Sequence, residues 1–370
     1  MRISIIGPAY PFRGGIAHHV YYLQTELGRR NHEVQVISYK KLYPKMFFPG
    51  KTMLDSSHLA LDPAGIAILD PIHPATWLEA FKAIRAFAPN LVLIQWWNPF
   101  CGPALGTLAR LLRVSGLNYV MECHNVFPHE RSLLDLPLVD FAFGPVQRFV
   151  THSREDRALL IDSFPSKKAW TAPLPAPAFL SGHSASLRTG RRILFFGMVR
   201  KYKGLDILLA AMPRVLAKVE CNLLIAGEFY DPVNDYLAMV QGLGLGPHVE
   251  IRDQYVPNEE VGTLLDQADL LVMPYLSATQ SGIVQMALQK ALPIIASRTG
   301  GLAEAVIENE TGLLCNPGDP ESLSEAIVSY FTGNLGQMMS EKMRLRSKED
   351  RPSELCLLIE NLGEPSNPTI

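Results

Sequence analysis

The same opening recurs twice along the chain: a short apolar run, a loop containing glycine, then a segment with helical apolar spacing. Arg2-Ile-Ser-Ile-Ile6 leads through Gly7-Pro-Ala-Tyr-Pro-Phe-Arg-Gly-Gly15 into a helix ending near Arg30, and Arg192-Ile-Leu-Phe-Phe196 leads through Gly197 into a second such series. Strands that alternate with helices are joined by crossovers, so they pair in parallel and are covered on both faces. In the first half the strands are Glu33–Ser38, Leu91–Gln95, Tyr119–Cys123 and Arg148–His152, with helices near Trp77–Phe87, Leu105–Val114 and Ser153–Asp162. In the second they are Cys221–Ala226, Val249–Arg252, Leu270–Pro274 and Pro293–Ser297. Helices there are read at Leu205–Val219, Tyr236–Leu245, Asn258–Ala268, after Ser281, around Leu302–Glu308 and at Pro320–Phe331. Between the series, Thr171–Arg192 carries Pro173, Pro175 and Pro177 and reads as a linker.

This predicts an α/β chain of two doubly wound domains. Residues 1–175 form the first, 176–191 the linker and 192–335 the second. In the tail, 336–370, the apolar stretch Leu355–Leu362 is read as a helix packing back on the first domain. Two such sheets facing each other would open a cleft at their carboxyl ends. At 370 residues and 48% hydrophobic content there is enough apolar side chain for two cores. The five cysteines are scattered without ligand spacing, no apolar run approaches the ~18 residues of a membrane span, and the chain opens on a strand. A cytoplasmic protein with reduced thiols is expected.

The net charge of −2 hides an asymmetry: residues 1–180 carry 18 Lys and Arg against 13 Asp and Glu, the remainder 16 against 23. Arg29, Arg30, Lys40, Lys41, Lys45 and Lys51 hold much of the excess, interleaved with Leu42, Tyr43, Met46, Phe47 and Phe48. Residues 40–51 suit either peripheral contact with an anionic membrane or a solvated face near a substrate cleft. Nothing points to nucleic acid.

Ligands of doubly wound sheets bind in loops that follow strands and open helices, where free N–H groups and the positive dipole end lie. Three loops have that position. Arg13-Gly14-Gly15-Ile-Ala17 lets backbone approach an anion or a sugar, or is a tight turn. Phe196-Gly-Met-Val-Arg-Lys-Tyr-Lys-Gly-Leu-Asp206 gathers Arg200, Lys201 and Lys203, as a diphosphate clamp or a solvated basic turn. Leu276-Ser-Ala-Thr-Gln-Ser-Gly282 offers Thr279, Ser281 and the Gly282 amide, as helix cap or phosphate donors. In the first half, Glu122-Cys-His-Asn-Val-Phe-Pro-His-Glu130 follows one strand and Gln95-Trp-Trp-Asn-Pro-Phe100 another, and at least one of His124 and His129 is assigned a ligand or catalytic role.

FFGMVRKYKGLD, LLIAGEFYD, ADLLVMPYLSATQSG, ALPIIASRTGGLAEAVIENETGLLCNPGDPESLSEAI, YPFRGGIAHHV, QWWNPF and CHNVFPHE together resemble glycosyltransferase family 4, across nearly all of residues 1–331. The resemblance implies the GT-B fold and a retaining, metal-independent transferase. Its co-substrate would be a nucleotide-diphosphate sugar, without cofactor or metal. The acceptor would be a glycan, a lipid-linked glycan or a small molecule, in surface polysaccharide or glycan biosynthesis. No Asp-x-Asp pair is present, in keeping with metal independence. The leaving diphosphate then falls to Arg200, Lys203 and the helix start at Ser281-Gly282. By the same resemblance, Gly14 and Gly15 lie against donor or acceptor, and His124 sits at the reacting sugar. Tyr255 and Val256 line the base, and Glu228 opens a loop at the mouth of the site.

The chain departs from the family pattern at two glutamates, whose places are taken by Ala278 and Met286, and at an arginine replaced by Met198. Thr279 or Gln280 is expected to reach the sugar instead, and Gln285 the ribose. The GxxRxYKG form together with ATQSG and HNVxPHE resembles one branch of the family. The alternative is a catalytically inactive partner or regulatory subunit of another transferase. A dinucleotide-dependent oxidoreductase is disfavoured, because no GxGxxG follows either first strand.

Overall fold

The computed structural model describes residues 1–43, 50–58, 65–128, 132–180, 190–347 and 353–364. His129 and residues 44–49 of the basic aromatic loop lie outside these.

The first series builds β1 (Arg2–Ile6), α1 (Gly15–Arg29), β2 (Glu33–Tyr39), β3 (Ile66–Leu69), α2 (Pro74–Phe87), β4 (Leu91–Trp96), α3 (Gly102–Val114), β5 (Tyr119–Cys123), α4 (Asp135–Phe143), β6 (Arg148–Thr151), α5 (Arg154–Ser163) and β7 (Lys168–Thr171). The second builds β8 (Arg192–Phe196), α6 (Leu205–Leu216), β9 (Asn222–Ala226), α7 (Val233–Gly242), β10 (Val249–Arg252), α8 (Asn258–Gln267), β11 (Leu270–Met273), α9 (Gly282–Gln289), β12 (Ile294–Ser297), α10 (Gly300–Ala305), β13 (Gly312–Cys315), α11 (Pro320–Thr332) and α12 (Leu335–Ser347), and α13 (Glu354–Gly363) ends the described chain.

Both sheets are parallel throughout. The first runs β3-β2-β1-β4-β5-β6-β7 and the second β10-β9-β8-β11-β12-β13. In each, the winding direction reverses beside the first strand, between β1 and β4 and between β8 and β11. At such a reversal the flanking loops diverge and leave a crevice at the carboxyl ends of the strands. The loops singled out by their chemistry leave these strands. The runs are apolar because both faces are covered: β4 and β11 are buried at every position.

Two compact units result, one holding β1–β7 with α13, the other β8–β13 with α6–α12. In the first, α13 buries Leu355, Cys356, Ile359 and Leu362 against Ile3, Leu23, Leu27 and Leu91. Its Glu360 accepts a two-pronged bond from Arg30, with Nε at 2.8 Å and the other nitrogen at 2.7 Å, and lies 2.7 Å from His32. In the second, α12 places Met339 in the core formed by β8, α6 and α11. All five cysteines are buried, and none is bridged.

Several elements escape the periodicity. β3, β7 and β13 have four residues each, too few to show a period. α10 stops at Ala305, short of the expected 308, because Thr311 N–H bonds back to the Ile307 carbonyl and Asn309 turns the chain at φ 63°.

Candidate active site

In the second unit, the chain leaves β8 through Gly197 and reaches Arg200 in extended conformation. It then makes a single 3-10 turn over Lys201–Lys203 and enters α6 through left-handed Gly204. The loop after β9 zips onto it: Val199 N–H donates to the Glu228 carbonyl at 2.9 Å, and Tyr230 N–H to the Val199 carbonyl at 3.0 Å. Gly227 is required by this approach, since a side chain there would overlap the Gly197 carbonyl. Asp253, after β10, accepts from Phe229 N–H at 3.0 Å, which brings the Tyr255-Val256 segment beside the loop of Glu228. After β11, Leu276 N–H donates to the Tyr202 carbonyl at 2.7 Å.

Ser281 caps α9, its hydroxyl accepting from Ile283 N–H at 3.3 Å. Ile283 packs on Gly197, where an added Cβ would come within 2.7 Å of its side chain. The start of α9 therefore abuts the basic loop. Gln285 lies one turn on from Ser281, on the same face, and is half-buried. Thr279 and Gln280, also half-buried, rest on Gly300 and Gly301, where side chains would collide with the Ala278 and Thr279 carbonyls.

Lys203 is the unusual group. The residue is 6% exposed, its ammonium lies 5.4 Å from the centre of the Tyr275 ring, and it pairs with no carboxylate among the described residues. Burial, reinforced by Arg200, pushes its pKa down from 10.5 to about 8. Arg200 lies 5.1 Å from the Tyr230 ring centre. A buried ammonium without a counter-ion is costly, so it is suited to an anion that arrives from outside. The two positions lacking glutamate differ. Met286 is 8% exposed and belongs to the core with Val284 and Ala287, whereas Ala278 only borders that core.

In the first unit, Gly14 caps α1 at φ 106°, a conformation favouring glycine. Gly15 has ordinary φ, and a Cβ there would meet nothing among the described residues. Beneath this helix start lies a buried polar cluster. Gln95 and Glu122 stand opposite each other on β4 and β5. Glu122 accepts from His19 Nε2 at 2.6 Å and from the Gln95 amide at 2.7 Å, and His152 Nε2 lies 3.2 Å from it. The Gln95 oxygen lies 2.7 Å from His124 Nε2. Burial acts to raise the Glu122 pKa, but His19 and His152 together hold it well below the carboxylate range. Burial, then His19 and His152, pushes His124 well below the ordinary value, which keeps it neutral. His19, Glu122, His124 and His152 offer ligand atoms within 4.8 Å of one another, so a cation could be held there, although both Glu122 oxygens already have donors.

Residues 13–175 match glycosyltransferase family 4, and residues 190–332 match the glycosyl transferases group 1 family. The chain has the GT-B fold, and two glycosyltransferase family models together match most of it. It is similar to Anabaena HepE solved with UDP-glucose, at TM-score 0.72 and 14% identity over 98% of both chains, a likeness of fold. It is 28% identical to N-acetyl-alpha-D-glucosaminyl L-malate synthase of Bacillus anthracis, over 96% of this chain and 94% of the relative. Against the D-inositol 3-phosphate glycosyltransferase of Corynebacterium diphtheriae the identity is 27%, over 36% of this chain; the aligned part spans about a third of that relative, 32%.

Within this fold, most of the residues expected for the donor sit in the second unit on four adjoining loops, and Gly14, Gly15 and His124 sit in the first. The sequence places Gln95 and Glu122 at the head of two strand-end clusters but assigns no site role to them or to His19. Their signal was a lone polar side chain in each apolar strand, Gln95 in LVLIQW and Glu122 in YVMEC. Among the described residues no helix is long and apolar enough to cross a membrane.

Proposed function

We propose that this chain is a retaining, metal-independent glycosyltransferase that moves a sugar from a nucleotide-diphosphate sugar to an acceptor hydroxyl in surface polysaccharide or glycan biosynthesis. The observation that carries the reading is Lys203, a buried ammonium with no carboxylate partner among the described residues, beside the N-terminus of α9. A leaving diphosphate supplies the charge this pocket lacks. Lys203, Arg200 and the free N–H groups at Ser281-Gly282 neutralise it as it departs, the task a divalent cation performs elsewhere. HepE, with UDP-glucose in its structure, supports a nucleotide sugar as donor.

Gln285, on the Ser281 face of α9, is the group offered to the ribose, and Thr279 and Gln280 to the sugar. Tyr255 and Val256 line the base, with Glu228 beside them. Gly14 and Gly15 leave open backbone for substrate, and His124 presents a neutral ring to a sugar hydroxyl. The acceptor is a glycan, free or lipid-linked, or a small molecule. Reaction in the cytoplasm, with residues 40–51 against an anionic membrane, belongs to the same reading; exposed Lys40 and Lys41 beside Tyr43 support it.

Calorimetric titration with UDP, GDP, ADP and their glucose conjugates tests the proposal. Binding of one nucleotide family at micromolar levels, weakened in Lys203→Met, is expected. No binding at millimolar levels would instead favour a non-catalytic partner of another transferase.

A further inference from the structure

The cluster under α1 does more than bury polar groups, because its hydrogens can be placed by elimination. Glu122 is completely buried, and its carboxylate can only accept. The end of the Gln95 amide that faces it at 2.7 Å is therefore the nitrogen. The amide oxygen is left facing His124 Nε2, also at 2.7 Å. That oxygen too can only accept, so Nε2 carries the hydrogen. In a neutral imidazole one nitrogen is protonated and the other holds a lone pair, which assigns the lone pair to Nδ1. No described residue bonds Nδ1, and His124 is half-buried, so this atom is left for a ligand.

The His124 ring has little freedom to turn. Its backbone N–H donates to the Trp96 carbonyl at 2.9 Å, and the rings of His19 and His152 press on it with centroids 5.0 Å away. Exchanging the two ring nitrogens would set a lone pair against the Gln95 oxygen.

We propose that Glu122 and Gln95 are positioning residues that fix His124 as a hydrogen-bond acceptor through Nδ1, so that this site selects a ligand hydroxyl and rejects a carbonyl or phosphate oxygen. That the hydroxyl belongs to a sugar rests on the transferase reading; the tautomer does not. Second-layer groups that set which imidazole nitrogen is protonated govern what the ring can do. The arrangement is asymmetric in its consequence: a ligand whose facing group is only an acceptor meets a second lone pair and loses its contact.

The test begins with the unliganded wild-type protein labelled with 15N-histidine. The expected spectrum shows His124 Nδ1 unprotonated and Nε2 protonated at pH 7. In Gln95→Met the single tautomer is lost. Turnover with the hydroxyl acceptor falls roughly tenfold, mainly in kcat, while UDP affinity, measured as the control for folding, is unchanged. The double variant Gln95→Glu with Glu122→Gln keeps every donor facing an acceptor, with the carboxylate moved to the neighbouring strand, and is expected to restore the tautomer. A protonated Nδ1 in the wild type overturns the proposal, as does an unaltered tautomer in Gln95→Met. So does stoichiometric zinc or manganese in the purified protein that shifts the His124 resonances on chelation, because a cation would then orient the ring. Absence of UDP binding alongside the expected tautomer removes the transferase reading and leaves the positioning role intact.

Discussion

Replacing Lys203 with Met should make the unliganded protein more stable and its nucleotide complex weaker. Met keeps the length and apolar stem of the side chain and removes only the charge. A pKa that drops from 10.5 to about 8 in the fold measures what holding that charge costs. At about 1.4 kcal/mol per tenfold change in proton affinity, the penalty at pH 7 is ~3 kcal/mol. The contact with the Tyr275 ring, 5.4 Å away, offsets ~1 kcal/mol of it, which leaves a net gain of ~2 kcal/mol for the variant. The pH dependence has a definite sign. Between pH ~8 and 10.5 the unfolded chain holds a proton the folded chain has released, so wild-type stability rises across that window and the variant stays flat. Binding runs the other way. Loss of a buried, charge-assisted contact to diphosphate costs ~2–3 kcal/mol, or roughly 30- to 150-fold in affinity. Wild-type affinity for UDP should also decline above pH ~8 as the ammonium deprotonates. Urea unfolding followed by circular dichroism, with calorimetric UDP titration, measures both. A variant that is less stable without ligand, or that binds UDP as tightly as wild type, refutes the reasoning.

Gly301→Ala should lower stability by ~2–4 kcal/mol, because its methyl has only the Thr279 carbonyl and the Gln280 side chain to displace; thermal unfolding checks it, and an unchanged midpoint means the turn is not seated as described. Met286→Glu should not rescue a missing ribose contact. It buries a carboxylate in an apolar cluster and should destabilise by at least ~3 kcal/mol, whereas a stable variant with raised turnover would show that position 286 faces the ligand. Glu360→Gln should cost ~1–2 kcal/mol at pH 7, allowing for solvent at this partly exposed fork. Arg30 first, against some opposing burial, and then His32 depress the Glu360 pKa from 4.5 to about 2. The contribution is therefore present above pH ~4.5 and lost as pH falls toward 2, a loss that acid titration of wild type and variant would show only in the wild type.

The two doubly wound sheets are legible in the sequence because both faces of the central strands are covered, which makes β4, β5, β11 and β12 predominantly apolar runs. The loops after β8 and β11 stand out for the same reason: glycines and cations interrupt an apolar background. What was not legible depends on register. Gln95 and Glu122 are 27 residues apart and meet only because β4 and β5 pair with these two residues abreast. Likewise, counting along the chain reaches Met286 as a family site position, but the rotation of α9 points it into the core while Gln285, one residue earlier, stays half-buried. A single residue along a helix turns the side chain by about 100°, and sequence alone does not set the phase against a sheet.

The turn at residues 278–280 is seated on Gly300 and Gly301 mainly by the Ala278 and Thr279 carbonyls, with Gln280 the one side chain that also rests there. Shape and chemistry are thereby uncoupled: the peptide path is dictated from below, while the side chains above it can be exchanged without unfolding the support. A saturation library at Ala278, Thr279 and Gln280 should therefore yield mostly folded proteins with altered donor preference, and one at Gly300 and Gly301 mostly unfolded ones. On the proposed function, substrate range can drift at the turn while the architecture stays put.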